Sequence, residues 1–339
     1  MKKIILIFLI IFCLFLALIS ATFLYVSKKT SHSFFYFPHL IYSALIQNSA
    51  PTHLNLMILG VDRRNDWLEK TETTDTIIFS QVNFLQNKIK LFSFPRDLWS
   101  YNLNTKINQI YPLSLSKNNN QEKYAYISEN FASISGQPID RVLVLSTENL
   151  KQLADILGGI DLFLENSFKD EKYPNEAYIQ NPKSGAPIYK TIEFKAGWVH
   201  LDSTNITEFV RSRKSTETAV SGGTDLGRIE RQQQLINALI DKLRVYAFQN
   251  PQIIFSLYNF WSTLEHNFTD SEIFTYLTNY GLNLKSITMT RYPISSGEDP
   301  KKDLLYHPLK FINSQWVFIP QDKEYKALHQ YISNSLDTL

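Results

Sequence analysis

"RVLVLSTENLKQLADILGGIDLFLE", residues 141–165, reads as strand, helix and strand in direct succession. "RVLVLS" is an apolar run of strand length. "TENLKQLADIL" reads as a capped helix that Gly158-Gly159 ends, and "IDLFLE" follows as another strand. Further out, "LNLMILG" (54–60) is a continuous apolar run. "TDTIIFSQVNF" (74–84) and "KIKLFSFP" (88–95) are strand-like, with "LQN" between them as a hairpin turn. A helix around 121–134 leads into Arg141. On the C-terminal side a long helix starts at Gly227, with Ile229, Ile236, Leu239, Ile240 and Leu243 spaced to face a core. Arg228, Arg231 and Gln232 near its start share a polar face. Thr269 and Glu272 form a capping-box signature, and "SITMTRYPI", "WVFIP" and a helix near 324–336 close the chain. Strands and helices alternate without internal repeats. The expected fold is α/β, a three-layer α-β-α sandwich with a mixed central sheet.

The chain has 339 residues, of which 44% are hydrophobic, enough to bury a large core. Its formal net charge is only +2, which argues against a nucleic-acid partner. Met1-Lys2-Lys3 precedes an uncharged run from Ile4 to Val26, long enough to cross a bilayer as a helix. We expect an uncleaved anchor at 1–26, a tether at 27–52 and one domain at 53–339. Lys2 and Lys3 are matched by Lys28 and Lys29, so the lysines do not orient the span. Cys13, the only cysteine, lies inside it. The tether's "FFYF" (34–37) suits either a membrane interface or a short helix packed on the domain.

No G-x-S-x-G elbow and no G-x-x-x-x-G-K-[ST] loop is present, and the histidines lack zinc-ligand spacing. His200 in "GWVHLD" reads as a turn or core histidine. The acids are more informative. Asp62 ends one apolar strand and Asp75 precedes another, where sheet proteins place ligand sites. Two carboxylates brought together there would repel unless a hard cation such as magnesium, or manganese in its place, lies between them and substrate oxygens. Taken alone, each acid reads first as a turn cap. "FSFPRDLW" then runs a strand into Arg96 and Asp97, followed by Lys106 and Asn108 in "TKINQIY". Arg64, Arg96, Lys106, Arg211, Arg213, Arg228 and Arg231 all lie near strand ends or a helix start. Guanidinium groups match phosphate oxygens in pairs, and a metal ion with several arginines suits a pyrophosphate.

"ILGVDRR", "TTDTIIF", "SFPRDLW", "TKINQIY", "ADILGGIDL", "GWVHLD", "FVRSRK" and "DLGRIERQQ" stand in the order and at the spacing of LytR-CpsA-Psr proteins, which the chain resembles over about 54–245. The resemblance implies a bacterial enzyme on the outer face of the cytoplasmic membrane. Such enzymes move a glycopolymer, for instance a wall teichoic acid or capsular polysaccharide, from a polyprenyl-pyrophosphate carrier to peptidoglycan. The bond made is a phosphodiester to the C6 hydroxyl of N-acetylmuramic acid. By position Asp62 and Asp75 match the family's magnesium-binding acids. Arg64, Arg96, Arg211, Arg213, Arg228 and Arg231 match its pyrophosphate-binding arginines, and Gln232 its accompanying amide; Lys106 and Asn108 are grouped with them. Thr73-Thr74 stand where the family usually has Arg-Ser, and Arg63, at a position where serine is common, is expected to compensate in part. "STETAVSGG" between the arginine pairs is somewhat long and reads as a flap hinged at Gly222-Gly223.

The expected mechanism has Asp62 and Asp75 hold the metal while the arginines neutralise the pyrophosphate and a sugar hydroxyl attacks the glycan-bearing phosphorus. Asp97 suits either a base on that hydroxyl or an orienter of Arg96. A lipid-pyrophosphate hydrolase and a non-catalytic lipid- or wall-binding protein are the alternatives.

Overall fold

Alternation in β1 (His53–Asn65) decides which way its residues face. Met57, Leu59 and Val61 are at most 2% exposed, whereas Ile58 and Gly60 face the opposite side. The computed structural model describes residues 20–46, 51–65, 70–212, 225–249, 253–280, 287–299 and 301–338. β2 (Lys70–Asn83) pairs antiparallel with β1, and β3 (Lys88–Phe94) with β2. The β2–β3 turn has Asn87 at φ 52°, a conformation asparagine tolerates. β4 (Arg141–Ser146) runs parallel to β1. The short β5 (Glu265–His266) and β6 (Thr288–Pro293) complete the edges, giving the order β5-β4-β1-β2-β3-β6. The sheet is mixed, as expected.

Helices cover both faces. On one, Tyr124, Ile127, Phe131 and Ile134 of α1 (Asn120–Ser135) pack with Met57, Leu59, Phe79 and Phe92. Leu328 and Ile332, from the C-terminal helix Lys326–Asp337, join the same cluster. On the other lie α2 (Thr147–Leu157), α3 (Asp225–Gln249) and α4 (Ile253–Thr263). Ser146 and Asn149 form the capping box of α2, and Gly158, at φ 65°, ends it.

The strand after α2 does not return to the central sheet. Ile160–Leu164 pairs only with Gly197–Leu201, as a separate antiparallel ribbon. Ile160, Leu162 and Leu164 are buried while Asp161 and Phe163 are exposed, the pattern of a strand wet on one face. His200 is neither in a turn nor in the core: it sits exposed on this ribbon, its Nδ1 2.7 Å from Asp161 Oδ1.

Residues 20–30 are helical, and a second helix spans Tyr36–Ile46. Tyr36 donates to the Asp270 carboxylate, and Ser43 Oγ lies 3.2 Å from Ser271 Oγ, both on α5 (Asp270–Tyr280). Tyr258 of α4 bonds His32 at 2.7 Å, and Tyr25 meets Phe255 edge-on. Of the two readings of the aromatic tether, the packed helix is the observed one. Among the described residues no helix is long and apolar enough to cross a membrane, and most of the expected span Ile4–Val26 lies outside them. α5 also caps one end of the sheet. Phe84, in the β2–β3 turn, stacks on Tyr276 and Tyr280, and Tyr280 bonds the Pro51 carbonyl just before β1. The tether therefore occupies the end of the sheet where β1 begins and β3 starts.

Candidate active site

The opposite end of the sheet is shaped by a bulge. Gly60 pairs with Thr76 and Val61 with Thr74, so Asp75 is the extra residue on β2. A bulge re-aims a side chain without ending the ladder. Gly60 is required there, since a Cβ would lie 2.8 Å from Thr76 Cβ. Asp75 accepts from Arg96 Nη1 at 2.5 Å. Arg96 comes one residue after β3, with Pro95 between them ending the strand. Its Nε stands 3.4 Å from Asp97 Oδ2, and Lys106 Nζ 2.7 Å from Asp97 Oδ1. Both Asp97 oxygens thus face cations, an arrangement that orients Arg96 and Lys106. Asn108 is buried, and its N–H donates to the Arg96 carbonyl at 3.3 Å, fixing the turn rather than lining the cavity.

A cavity of about 500 Å³ opens beside Asp75, between the sheet and helices α2, α3 and α4. Ile58, Ile78, Leu153, Leu235, Leu239 and Phe260 make most of its wall apolar; Asp75, Arg211, Gln232 and Lys172 give it a polar part. Its size is in the usual range for small-molecule sites, ~300–1,000 Å³. Arg211 is the last residue of the helix Ile206–Arg211, which ends because Ser212 turns extended at ψ 137°. Gln232 Nε2 reaches the Val210 carbonyl at 3.4 Å, bracing that helix end.

Arg231 departs from expectation. It is 4% exposed and lies on the buried face of α3, not on a polar face with Gln232. Its Nε donates to the Phe209 carbonyl at 3.3 Å and its Nη2 to the Ser212 carbonyl. The guanidinium carbon lies over the Phe168 ring, 4.4 Å from the centroid. Helical spacing explains this placement, because Arg231 precedes the buried Leu235 by one turn. Beside it Ser212 Oγ donates to Asp170 Oδ2 at 2.9 Å, and the Lys172 N–H donates to Asp170 Oδ1 at 3.0 Å. Asp170 is 2% exposed and lines the cavity. The sequence reading missed it: its side-chain partner lies 42 residues away, and nothing in "FKDEKYP" points to it.

The structure thus joins Asp75, Arg96, Asp97 and Lys106 directly and places Arg211 and Gln232 on the same cavity. Asp62 pairs in register with Thr73 and Arg63 with Glu72. The side chains of Asp62, Arg63, Arg64 and Arg228 lie outside the described part, as do Arg213 and the "STETAVSGG" segment. Thr74, one of the two threonines at the unusual position, is 1% exposed. Among the described residues no three or more His, Cys, Asp and Glu side chains could hold a metal ion between them. Magnesium usually takes one or two carboxylates and completes its shell with water and phosphate, so that ion at Asp75 would not require such a cluster.

Comparison with known proteins bears on the fold and the family. The polyisoprenyl-teichoic acid–peptidoglycan teichoic acid transferase TagV of Bacillus subtilis (strain 168) is 27% identical over 197 residues, 56% of this chain and 43% of that protein. The chain spans about half the length of the curated relatives it matches. The crystal structure of B. subtilis TagV aligns with a TM-score of 0.54 at 21% identity, over 85% of this chain and 98% of that one. The LytR-CPS2A-psr family protein YwtF (TagT), with bound octaprenyl pyrophosphate lipid, aligns with a TM-score of 0.51 at 14% identity, over 85% and 92%. These likenesses share the fold. The LytR_cpsA_psr family model matches residues 28–331, nearly all of the described chain, and the protein belongs to that family.

Proposed function

We propose that this protein is a membrane-anchored phosphotransferase that moves a glycopolymer from a polyprenyl-pyrophosphate carrier onto peptidoglycan, at the C6 hydroxyl of N-acetylmuramic acid. The observation that carries the reading is the two-part cavity, an apolar wall from Ile58 to Phe260 with Asp75, Arg211 and Gln232 on its polar part. A polyprenyl pyrophosphate has the same division, and the names of the relatives support this substrate class. The run Ile4–Val26 would anchor the chain with the domain outside the cytoplasm, where both lipid-linked glycan and peptidoglycan are found.

Arg96, oriented by Asp75 and Asp97, and Arg211 at its helix end would neutralise the pyrophosphate, with Arg64, Arg213 and Arg228 supplying further positive charge. Arg231 would act behind them, as a positioning residue. The acceptor oxygen forms a bond to the glycan-bearing phosphorus as the bridging P–O bond breaks. Polyprenyl phosphate leaves, and the hydroxyl proton passes to solvent or to the departing phosphate. Asp62 and Asp75 would hold magnesium, which supplies charge neutralisation at phosphate oxygens when bound. The protein's part is positioning and fixed charge, without a covalent enzyme intermediate.

The test incubates the full chain in detergent with a synthetic polyprenyl-pyrophosphate oligosaccharide and a peptidoglycan fragment, with and without magnesium. An acceptor–phosphate–glycan product, absent with Asp75→Ala and without magnesium, is expected by mass spectrometry. Phosphorylated glycan released whether or not acceptor is present would replace the transferase with a hydrolase.

A further inference from the structure

Residues 305–320 form a small arm beside the Arg96–Asp97 turn. Phe318 N donates to the Asp97 carbonyl at 2.9 Å, and Trp99 N donates to the Phe318 carbonyl at 2.8 Å. The Leu98–Phe318 bridge is parallel. Going back from Phe318 to Trp316 therefore runs in the same sense as going back from Leu98 to Arg96. The step is about 7 Å, at ~3.3 Å per residue. Trp316 is held in an aromatic stack, edge-on to Phe318 at 4.6 Å and over His307 at 4.9 Å. His307 is itself fixed by Nδ1 to the Val317 carbonyl at 2.9 Å. Despite this support the outer surface is left in water: Trp316 is 42% exposed, Phe311 64% and Leu309 fully so. Phe311 and Trp316 both flank the His307 ring, at 6.0 and 4.9 Å, so the exposed rings are clustered, and a clustered apolar patch marks a binding surface where single exposed residues do not.

We infer that this arm is the subsite for the acceptor glycan, with Trp316 and Phe311 stacking on the apolar faces of sugar rings next to the attacking hydroxyl. The inference rests on the transferase reading above and names where its second substrate sits. Aromatic faces present an apolar surface with negative character, suited to the slightly positive C–H groups of a pyranose face. Position favours a glycan over a bilayer. The tether packs on α5 at the end of the sheet where β3 starts, and the arm joins the chain just past the other end of β3. The seven residues of β3 separate the two by roughly 20 Å. The arm thus points away from the side where the chain would enter a membrane.

The test uses the full chain with lipid-pyrophosphate donor and a soluble peptidoglycan oligosaccharide. Trp316→Ala and Phe311→Ser should each raise the acceptor KM roughly five- to tenfold and leave the donor KM unchanged, while Trp316→Phe stays near wild type. Phe311→Ser guards against misfolding, because that side chain is mostly in solvent. Unchanged acceptor KM in both variants overturns the inference. If wild-type protein makes no transfer product, the transferase reading fails by itself. Calorimetric affinity for the oligosaccharide, equal in wild type and Trp316→Ala, would then overturn the subsite separately.

Discussion

Arg231 and Arg211 stand close in space and have different work. Arg211 is half-buried on the cavity, whereas Arg231 spends its planar fork on two carbonyls that end the helix carrying Arg211. Ser212 is the hinge of that arrangement, 1% exposed and bonded to the buried Asp170. Ser212→Ala removes one donor from a buried carboxylate, and a hydrogen bond to a charged group contributes ~1.5–3 kcal/mol. The urea midpoint should fall accordingly with an unchanged m-value, and the donor KM should rise as Arg211 loses its fixed backbone. A variant with wild-type midpoint and donor KM would show that Ser212 does not set Arg211. The crowding of arginines is legible in the sequence, but their division of labour is only half so. The spacing of Arg231 to Leu235 is a readable sign that it faces inward. Asp170 has no such sign, because Ser212, its side-chain partner, reaches it only when distant segments pack.

At the level of elements, the central strands, the α2 cap and the capping box at Thr269–Glu272 follow from local pattern, and the structure has them where the pattern puts them. Sheet membership does not follow in the same way. Ile160–Leu164 has the length and composition of a sheet strand, and its withdrawal into a separate ribbon depends on a partner 33 or more residues later. Long-range anchoring also secures the last helix. Lys90 on β3 is 7% exposed and donates to the carbonyls of Ser335, Leu336 and Thr338 at 3.1, 2.8 and 2.6 Å. A cation against helix-terminal carbonyls completes that terminus. Lys90→Met keeps the apolar stem and removes the donors, and should destabilise the protein by about 2 kcal/mol in urea unfolding. No change in midpoint would mean that solvent replaces the ammonium without loss. Edge strand β5 should carry a pH response. Burial holds the His266 imidazole below its ordinary value of 6.5, so the unfolded chain takes up that proton first as pH falls. The stability is complete above 6.5 and declines as pH drops below it. His266→Gln should flatten that slope in thermal melts between pH 7 and pH 5; an unaltered slope would place the response elsewhere.

Over the whole molecule, the tether, the cavity and the acidic and basic turn are set out along one direction. The helical tether leans on α4 and α5 through Tyr25, His32 and Tyr36. α4 supplies Phe260 to the apolar wall, while Asp75 and Arg96 lie at the end of the sheet remote from α5. An isoprenoid chain bound with its pyrophosphate at Asp75 and Arg211 would therefore extend past Ile58 and Leu239 toward the side that carries the tether. None of this is readable from composition, since the same Leu, Ile and Phe residues would serve a solid core. A cavity differs from a core in having room, and filling the room tests the difference. Leu239→Trp on α3 should narrow the apolar part without touching Asp75, Arg96 or Arg211. Each buried CH₂ contributes ~0.8 kcal/mol, so excluding two or three carbons costs roughly 2 kcal/mol, or ~30-fold in affinity. Undecaprenyl pyrophosphate should bind Leu239→Trp about that much more weakly, whereas geranyl pyrophosphate, with only ten carbons to place along the apolar wall, should be weakened less. Equal weakening of both lipids would mean that the substitution disturbs the charged end. No weakening of either would mean that the chain lies along some other surface, and that the division between polar mouth and apolar wall does not serve the lipid.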